Sequence, residues 1–300
     1  MGVVISGLWT IGVTLVGALL VALIEPRLLK AAADPGAAAA STPEERTKIS
    51  QKDRWLYPAG PVLALFGVAL AAVVLPFGPE LVGADLGIGV FYFIVLVDFV
   101  VLGLAVGGWG SNVRPGVEVY YRIVAQLVAY VVPLGLAYIG AIMMARSLST
   151  VDIVDAQRNL PFIVLQPLGF ALYVITGLMQ AYRAPFMEPF SAYIDHGVLR
   201  VYGGWQALLW RAALSGVLFV VAAAGAVLYL GGWRGPLLPG PLWMLIKTLA
   251  MMVFMVWAGR RVEPLSTAKM LELSWKVLTP VGLLNVLIVG GLILLGVAAS

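Results

Sequence analysis

The 300-residue chain is 61% hydrophobic and only 11% charged. Soluble domains contain about 25% charged residues, so this composition excludes a water-soluble fold and indicates a protein that lies in lipid. The net charge of +4 comes from basic residues in short connections between apolar runs. It forms no continuous basic patch, which excludes a nucleic-acid-binding surface.

The residue types that hold redox cofactors are nearly missing from the chain. It has no cysteine, which excludes disulfides, a catalytic thiol, thiolate-bound iron–sulfur clusters and covalently attached haem. The single histidine, His196, excludes a haem held by two histidines of this chain. No metal-ligand spacing or phosphate-binding loop occurs. We therefore expect no catalytic centre of its own, and expect any redox centre in a partner subunit or a diffusible molecule.

Apolar runs of spanning length predict an all-α membrane protein with about eight transmembrane helices. A spanning helix needs about 20 apolar residues, and such runs lie at about 3–24, 57–77, 86–107, 119–143, 161–181, 212–232, 241–259 and 277–298. The first run is longer than the core of a signal peptide and has no basic residue before it, so we predict a spanning helix there. The close spacing of the runs predicts a single polytopic domain, 1–300.

Basic residues predict the orientation of these helices. Fifteen lysines and arginines lie at or beside the connections after the first, third, fifth and seventh runs, against four at the others. The positive-inside rule places the first group of connections in the cytoplasm and both termini on the opposite side. Two cytoplasmic connections stand out: 25–56, with a flexible alanine-rich part, and 182–211, which contains His196 and is predicted to be functional.

Ionisable side chains inside a membrane are costly and are candidates for function. Asp98 is the clearest, because it lies in the middle of an apolar run. It is either a proton relay or an acid bonded within the bundle. Lys247 either has a function or extends its amine to the outer interface.

Polar residues near the start of the fourth run are weaker candidates. Arg122 either anchors the helix at the cytoplasmic interface or lines a cavity, and Glu118 is its potential ion-pair partner four residues earlier. Gln126 and Tyr130 share a helix face, where they form either a polar stripe or a packing contact. Asp152 and Asp155 indicate a helical turn at the interface.

Nine segments in consistent order, spread over about 52–285, carry a resemblance to a known family. They are VLPFGPELVGADLGIGVFYF (74–93), GGWGSN (107–112), RIVAQLVAYVVPLGLAYIG (122–140), STVDIVDAQ (149–157), QPLGFALYVITGL (166–178), RAPF (183–186), LGGW (230–233), LIKTLAMMVFMVW (245–257) and LSWKVLTPVGLLN (273–285). With these segments the chain resembles the H subunit, also called subunit 1, of respiratory complex I, the proton-pumping NADH:quinone oxidoreductase.

This resemblance implies a non-redox translocase subunit of the cytoplasmic (inner) membrane. Such a subunit joins the membrane arm to the peripheral arm, contacts subunits of both, and walls the chamber in which quinone, the substrate, is reduced. The resemblance implies two sets of site residues. The chamber lining would be Arg183, Pro185, Phe186, Arg122 and Gln126, and the proton relay would be Asp98, Glu118 and Glu188.

The chain departs from the family pattern mainly where the family has acids. A glutamate usually stands shortly before the Arg-Ala-Pro-Phe turn and an aspartate follows it, whereas here Gln180 and Tyr182 precede the turn and Met187 follows it. Val131 and Val201 stand where two other family glutamates are expected. These changes imply weakened proton coupling. The alternatives are a structural anchor without quinone contact, the anchor subunit of a membrane-bound hydrogenase or ferredoxin-linked complex, and a stand-alone transporter.

Overall fold

A computed structural model describes residues 9–14, 16–17, 53–79, 81–112, 114–186, 202 and 204–296, with only the backbone given at 114–119. All regular structure in these ranges is helical. The predicted first span is therefore described only at 9–14 and 16–17, where it is helical. The remainder of that span, Glu188, His196 and most of the 182–211 connection lie outside the described residues.

The helices from residue 53 onward are labelled in chain order. They are α1 (Leu56–Val73), α2 (Gly89–Val97), α3 (Phe99–Gly110), α4 (Arg114–Ala145), α5 (Thr150–Asp155), α6 (Phe162–Leu165), α7 (Pro167–Gln180), α8 (Gly204–Tyr229), α9 (Gly240–Arg260), α10 (Thr267–Leu273), a π-helical turn (Ser274–Leu278) and α11 (Thr279–Leu294).

Among the described residues, six helical stretches are long and apolar enough to span a membrane. They are Leu56–Val73, Gly89–Gly110, Tyr120–Ala145, Gly204–Tyr229, Gly240–Arg260 and Thr267–Leu294. The seventh match to a predicted span is the shorter helix α7, which the structure separates from α6 at Gln166. Pro167 follows that break, and a proline favours the first turn of a helix because its missing N–H is not needed there.

The sixth predicted span differs from the structure more at its start than at its end. The apolar run begins at about residue 212, yet α8 begins at Gly204. Arg211 and Gln206 lower the hydropathy of this first part without opposing helix formation. The helix therefore extends beyond its apolar run at the end that carries the basic connections.

Connections predicted to be cytoplasmic meet at one end of the bundle, called here the Arg183 end. The N–H of Asp53 donates to Gly110 O at 3.0 Å, and the N–H of Leu265 donates to Pro185 O at 2.9 Å. The Asp53 carboxylate also accepts the N–H groups of Trp55 and Leu56 at 2.8 and 2.9 Å. These two bonds hold the pKa of Asp53 below its usual value, because they favour the charged form.

The other connections meet at the opposite end, called here the Lys247 end. Thr150 Oγ1 donates to Val74 O at 2.6 Å, and the N–H of Val90 donates to Leu148 O at 3.0 Å. The helical turn predicted at Asp152 and Asp155 is confirmed as α5, which starts where Ser149 Oγ accepts the N–H groups of Val151 and Asp152. The grouping of the connections agrees with the pattern of basic residues.

Helix α8 is the central helix of the described bundle. Its apolar window is 94% buried, against 22–50% for the other spanning helices. Its middle is the small-residue run 222–226, AAAGA, which lets neighbouring helices approach closely. A Cβ at Gly225 would lie 2.7 Å from the Tyr173 ring. Large apolar side chains on the outer helices remain exposed, as expected for surfaces that face lipid or other membrane subunits.

Candidate functional site in the helix bundle

Asp98 lies at the break between α2 and α3 and is held by two neutral donors. Tyr130 Oη, from α4, donates to Asp98 Oδ1 at 2.9 Å. Gln180 Nε2, at the last residue of α7, donates to the same oxygen at 3.2 Å. The Tyr182 side chain lies beside Tyr130. We call Asp98, Tyr130, Gln180 and Tyr182 the Asp98 cluster.

The chemistry of this cluster is that of one carboxyl group with a prepared hydrogen-bond environment. Burial favours the neutral acid, while donated hydrogen bonds favour the carboxylate. Tyr130 is fully buried and Gln180 is 2% exposed, whereas Asp98 is only partly buried. The cluster therefore contains one ionisable carboxyl group that is surrounded by neutral hydrogen-bonding side chains.

Two tyrosines on the Lys247 side of the cluster bond to backbone carbonyls. Tyr173 Oη donates to Val221 O at 2.6 Å, and Tyr229 Oη donates to Ala137 O at 3.0 Å. The two donors of Asp98 come from α4 and from the end of α7, and Gln180 lies three residues before Arg183 in the chain.

The Arg183–Phe186 turn is packed between the ends of several helices. The N–H of Arg183 donates to Leu178 O at 3.1 Å, and Arg183 Nη2 donates to Leu214 O of α8 at 3.4 Å. Ala184 O lies against Gly259 of α9, where any side chain would collide with it. The turn is thus fixed by α7, α8 and α9 together.

The predicted lining residues are brought to one end of the bundle but differ in exposure. Gln126 is fully buried and donates through Nε2 to Met179 O at 2.6 Å, which joins α4 to the end of α7. Pro185 and Phe186 are buried, and Arg183 and Arg122 are partly buried. Pro185 and Phe186 therefore support the turn from inside the protein.

The predicted relay residues are only partly described. Asp98 is in the cluster, the side chain of Glu118 is outside the described atoms, and Glu188 is outside the described residues. Sequence reasoning missed that Gln180 and Tyr130 contact Asp98, because they lie 82 and 32 residues from it. The sequence contains one indication of a polar site on α4, which is that Gln126 and Tyr130 share a helix face.

Lys247 lies away from this site and stabilises a helix end. Its Nζ donates to Leu230 O and Arg234 O, both at 2.6 Å. Leu230 follows the last residue of α8, where a positive charge is favourable because the carbonyls there lack helical partners. The amine therefore reaches the Lys247 end of the bundle, and its place at the outer interface stays a prediction.

The fold and the site define a multi-pass helical membrane protein with an acid held inside its bundle. The family model described as NADH dehydrogenase matches residues 41–290. The second of the NADH-quinone oxidoreductase H subunits of Syntrophobacter fumaroxidans is 35% identical over 261 residues, which is 84% of this chain and 79% of that protein. The first of the NADH-quinone oxidoreductase H subunits of Rhodopseudomonas palustris is 38% identical over 233 residues, 77% of this chain and 71% of that protein.

A solved structure has the same fold. A chain of the membrane-bound sulfane sulfur reductase, an archaeal respiratory membrane complex, superposes with a TM-score of 0.81, covering 96% of this chain and 100% of that one, at 21% identity. With the family model and these relatives, the chain belongs to the NADH dehydrogenase family, as the resemblance of its nine segments predicted.

Proposed function

We propose that this chain is the membrane subunit of a respiratory NADH:quinone oxidoreductase that joins the membrane arm to the peripheral arm. The observation that carries this proposal is the similarity to H subunits of this enzyme at 35–38% identity over more than three quarters of the chain. The chain contributes no redox centre in this role. Its partners are the other subunits, quinone and the bilayer of the inner membrane.

The proposed arrangement in the membrane is one polytopic domain with eight spans and both termini outside. The grouping of connections into two ends supports it, because the Arg183 end gathers the connections rich in basic residues. With that end in the cytoplasm, the Arg183–Phe186 turn would face the peripheral arm.

The proposed quinone wall lies at this turn. Arg183, Pro185, Phe186, Arg122 and Gln126 are its proposed residues. A quinone carbonyl gains negative charge on reduction, and a guanidinium is a strong donor to such an oxygen. Pro185 and Phe186 would fix the position of Arg183, since their burial leaves them little surface to offer.

Asp98 is the proposed proton-holding group, with Glu118 and Glu188 as further relay candidates. Two observations support Asp98: its place inside the bundle, and its hydrogen bond to Gln180, which lies three residues before Arg183 in the chain. Reduction of quinone near Arg183 would change the local charge, and the carboxyl group of the neighbouring Asp98 cluster would respond by gaining or losing a proton.

The second candidate function is an anchor subunit without quinone contact, or one that serves a hydrogenase or ferredoxin-linked complex. The fold alone does not separate these, because the archaeal sulfane sulfur reductase complex contains a chain of the same fold. Quinone contact is the property that distinguishes the leading proposal.

Membranes that carry Arg183→Ala test this contact. A hydrogen bond to a charged group contributes about 1.5–3 kcal/mol, so quinone reduction should fall roughly tenfold or more at matched complex content. Arg158→Ala is the control, because Arg158 is an exposed arginine at the Lys247 end and should leave turnover unchanged. Unaltered turnover and unaltered inhibition by quinone analogues in Arg183→Ala would favour the anchor without quinone contact.

A further inference from the structure

Two side-chain amides are buried where α4, α7 and α11 cross, away from the Asp98 cluster. Gln166, at the break before α7, and Asn285, on α11, are each 1% exposed. Among the described residues, Gln166 Nε2, Gln166 Oε1 and Asn285 Nδ2 have no hydrogen-bond partner. Unpaired amide atoms are unusual in any protein core and are especially costly within a membrane.

Glycines create the space in which these amides converge. A Cβ at Gly140 of α4 would lie 2.5 Å from Gln166 Oε1 and 2.7 Å from Asn285 Nδ2. A Cβ at Gly169 of α7 would lie 2.9 Å from Asn285 Nδ2. An alanine at either position would therefore push an amide out of place.

The two amides are complementary and close, but they do not bond to each other. Gln166 Oε1 is an acceptor and Asn285 Nδ2 is a donor. Both atoms lie within 2.7 Å of the position that a Cβ at Gly140 would take, so the two atoms are at most twice that distance apart. A water molecule joins a donor and an acceptor up to about 5.6 Å apart through two hydrogen bonds of about 2.8 Å each, so this upper limit allows one bridging water. It would accept from Asn285 Nδ2 and donate to Gln166 Oε1.

We propose that Gln166 and Asn285 form a binding site for a buried water molecule that joins α4, α7 and α11. The position of Gln166 supports this, because it lies between two helix segments, and broken helices in membranes are tolerated where ordered water satisfies their polar groups. Buried waters characteristically bond to polar groups that would otherwise be unpaired.

The direct test is a cryo-electron microscopy map of the assembled complex at a resolution that shows ordered water. The expected result is a density peak within hydrogen-bond distance of Gln166 Oε1 and Asn285 Nδ2. A map in which the two amides bond directly to each other, with no peak between them, would overturn the proposal.

Two glycine variants test the site by stability. Gly140→Ala places a methyl group among the amides and should lower the unfolding temperature of the complex by several degrees, with loss of the water density. Gly135→Ala on the same helix is the matched control, because a Cβ there meets nothing within 4 Å. Equal effects of the two variants would contradict a site at Gly140.

A double-mutant cycle tests whether the amides act together. Gln166→Met and Asn285→Leu replace each amide by an apolar group of similar size. Each single variant leaves the other amide buried without its water, so the double variant should lose less stability than the sum of the two. Strictly additive losses would show that the amides share no water.

Discussion

At the scale of single residues, Asp98 is the centre of the proposed chemistry. Its partner Gln180 is one of the residues just before the Arg183–Phe186 turn, where the resemblance to the H subunit of complex I implies a glutamate. The structure adds that Gln180 and Asp98 are hydrogen-bonded to each other. The Gln180–Asp98 contact therefore still contains one carboxyl group. Asp98, at the break between α2 and α3, supplies it in place of the expected glutamate.

This interpretation predicts that the acid can be exchanged between the two positions. Asp98→Asn should abolish proton translocation linked to quinone reduction, with a fall of roughly 100-fold or more, the lower part of the range for losing a positioned proton-transfer group. Asp98→Asn combined with Gln180→Glu should restore a large part of it. The measurement is proton uptake or release by membrane vesicles during quinone reduction.

The control for this exchange is Asp85→Asn, which alters a carboxylate bonded to Ser149 at the Lys247 end and should leave translocation intact. Full translocation in Asp98→Asn would contradict the role of Asp98. No recovery in a well-assembled double variant would contradict the exchange of positions.

At the scale of helices, two internal prolines leave carbonyls that side chains from distant parts of the chain satisfy. Pro61 in α1 has no N–H to donate to Tyr57 O. Tyr202 Oη donates to Tyr57 O instead, at 3.0 Å. Pro133 in α4 likewise leaves Ala129 O without its helical donor, and Ser274 Oγ of the π-helical turn donates to it. Each proline thus creates a docking point for another segment.

The contact at Pro61 predicts a compensating pair of substitutions. Tyr202→Phe keeps the ring that stacks on Tyr57 at 4.2 Å but removes the donor, and an unsatisfied buried carbonyl costs about 1–3 kcal/mol. On a Pro61→Ala background the helix supplies its own N–H to Tyr57 O, so Tyr202→Phe should cost clearly less there. Thermal unfolding of the purified complex measures both losses, and equal losses in the two backgrounds would contradict this role of Tyr202.

The helices show which features sequence could predict. Apolar runs located the six spanning helices of the described residues and the shorter helix α7, because hydropathy depends on local composition. Local sequence likewise indicated α5, through Asp152. The breaks at Asp98 and Gln166 were not predicted, since both occur inside continuous apolar runs. The partners of Asp98 come from α4 and α7, and no local spacing connects residues that are so distant in the chain.

At the scale of the whole molecule, the bundle has two chemically different ends around the buried helix α8. The Lys247 end is fixed by contacts that complete helix termini, such as the two carbonyls bonded by Lys247. The Arg183 end holds the candidate quinone wall and the polar contacts of Asp98. This division fits a subunit that transmits events at a peripheral arm into the membrane.

The most direct measurement is purification of the native assembly from membranes through a tag on this chain. If the chain joins a membrane arm to a peripheral arm, iron–sulfur subunits of that arm should co-purify in fixed proportion and the preparation should reduce quinone. A stand-alone transporter would instead be isolated with no redox partner. A stable, folded preparation that contains this chain without iron–sulfur subunits would contradict the proposed function.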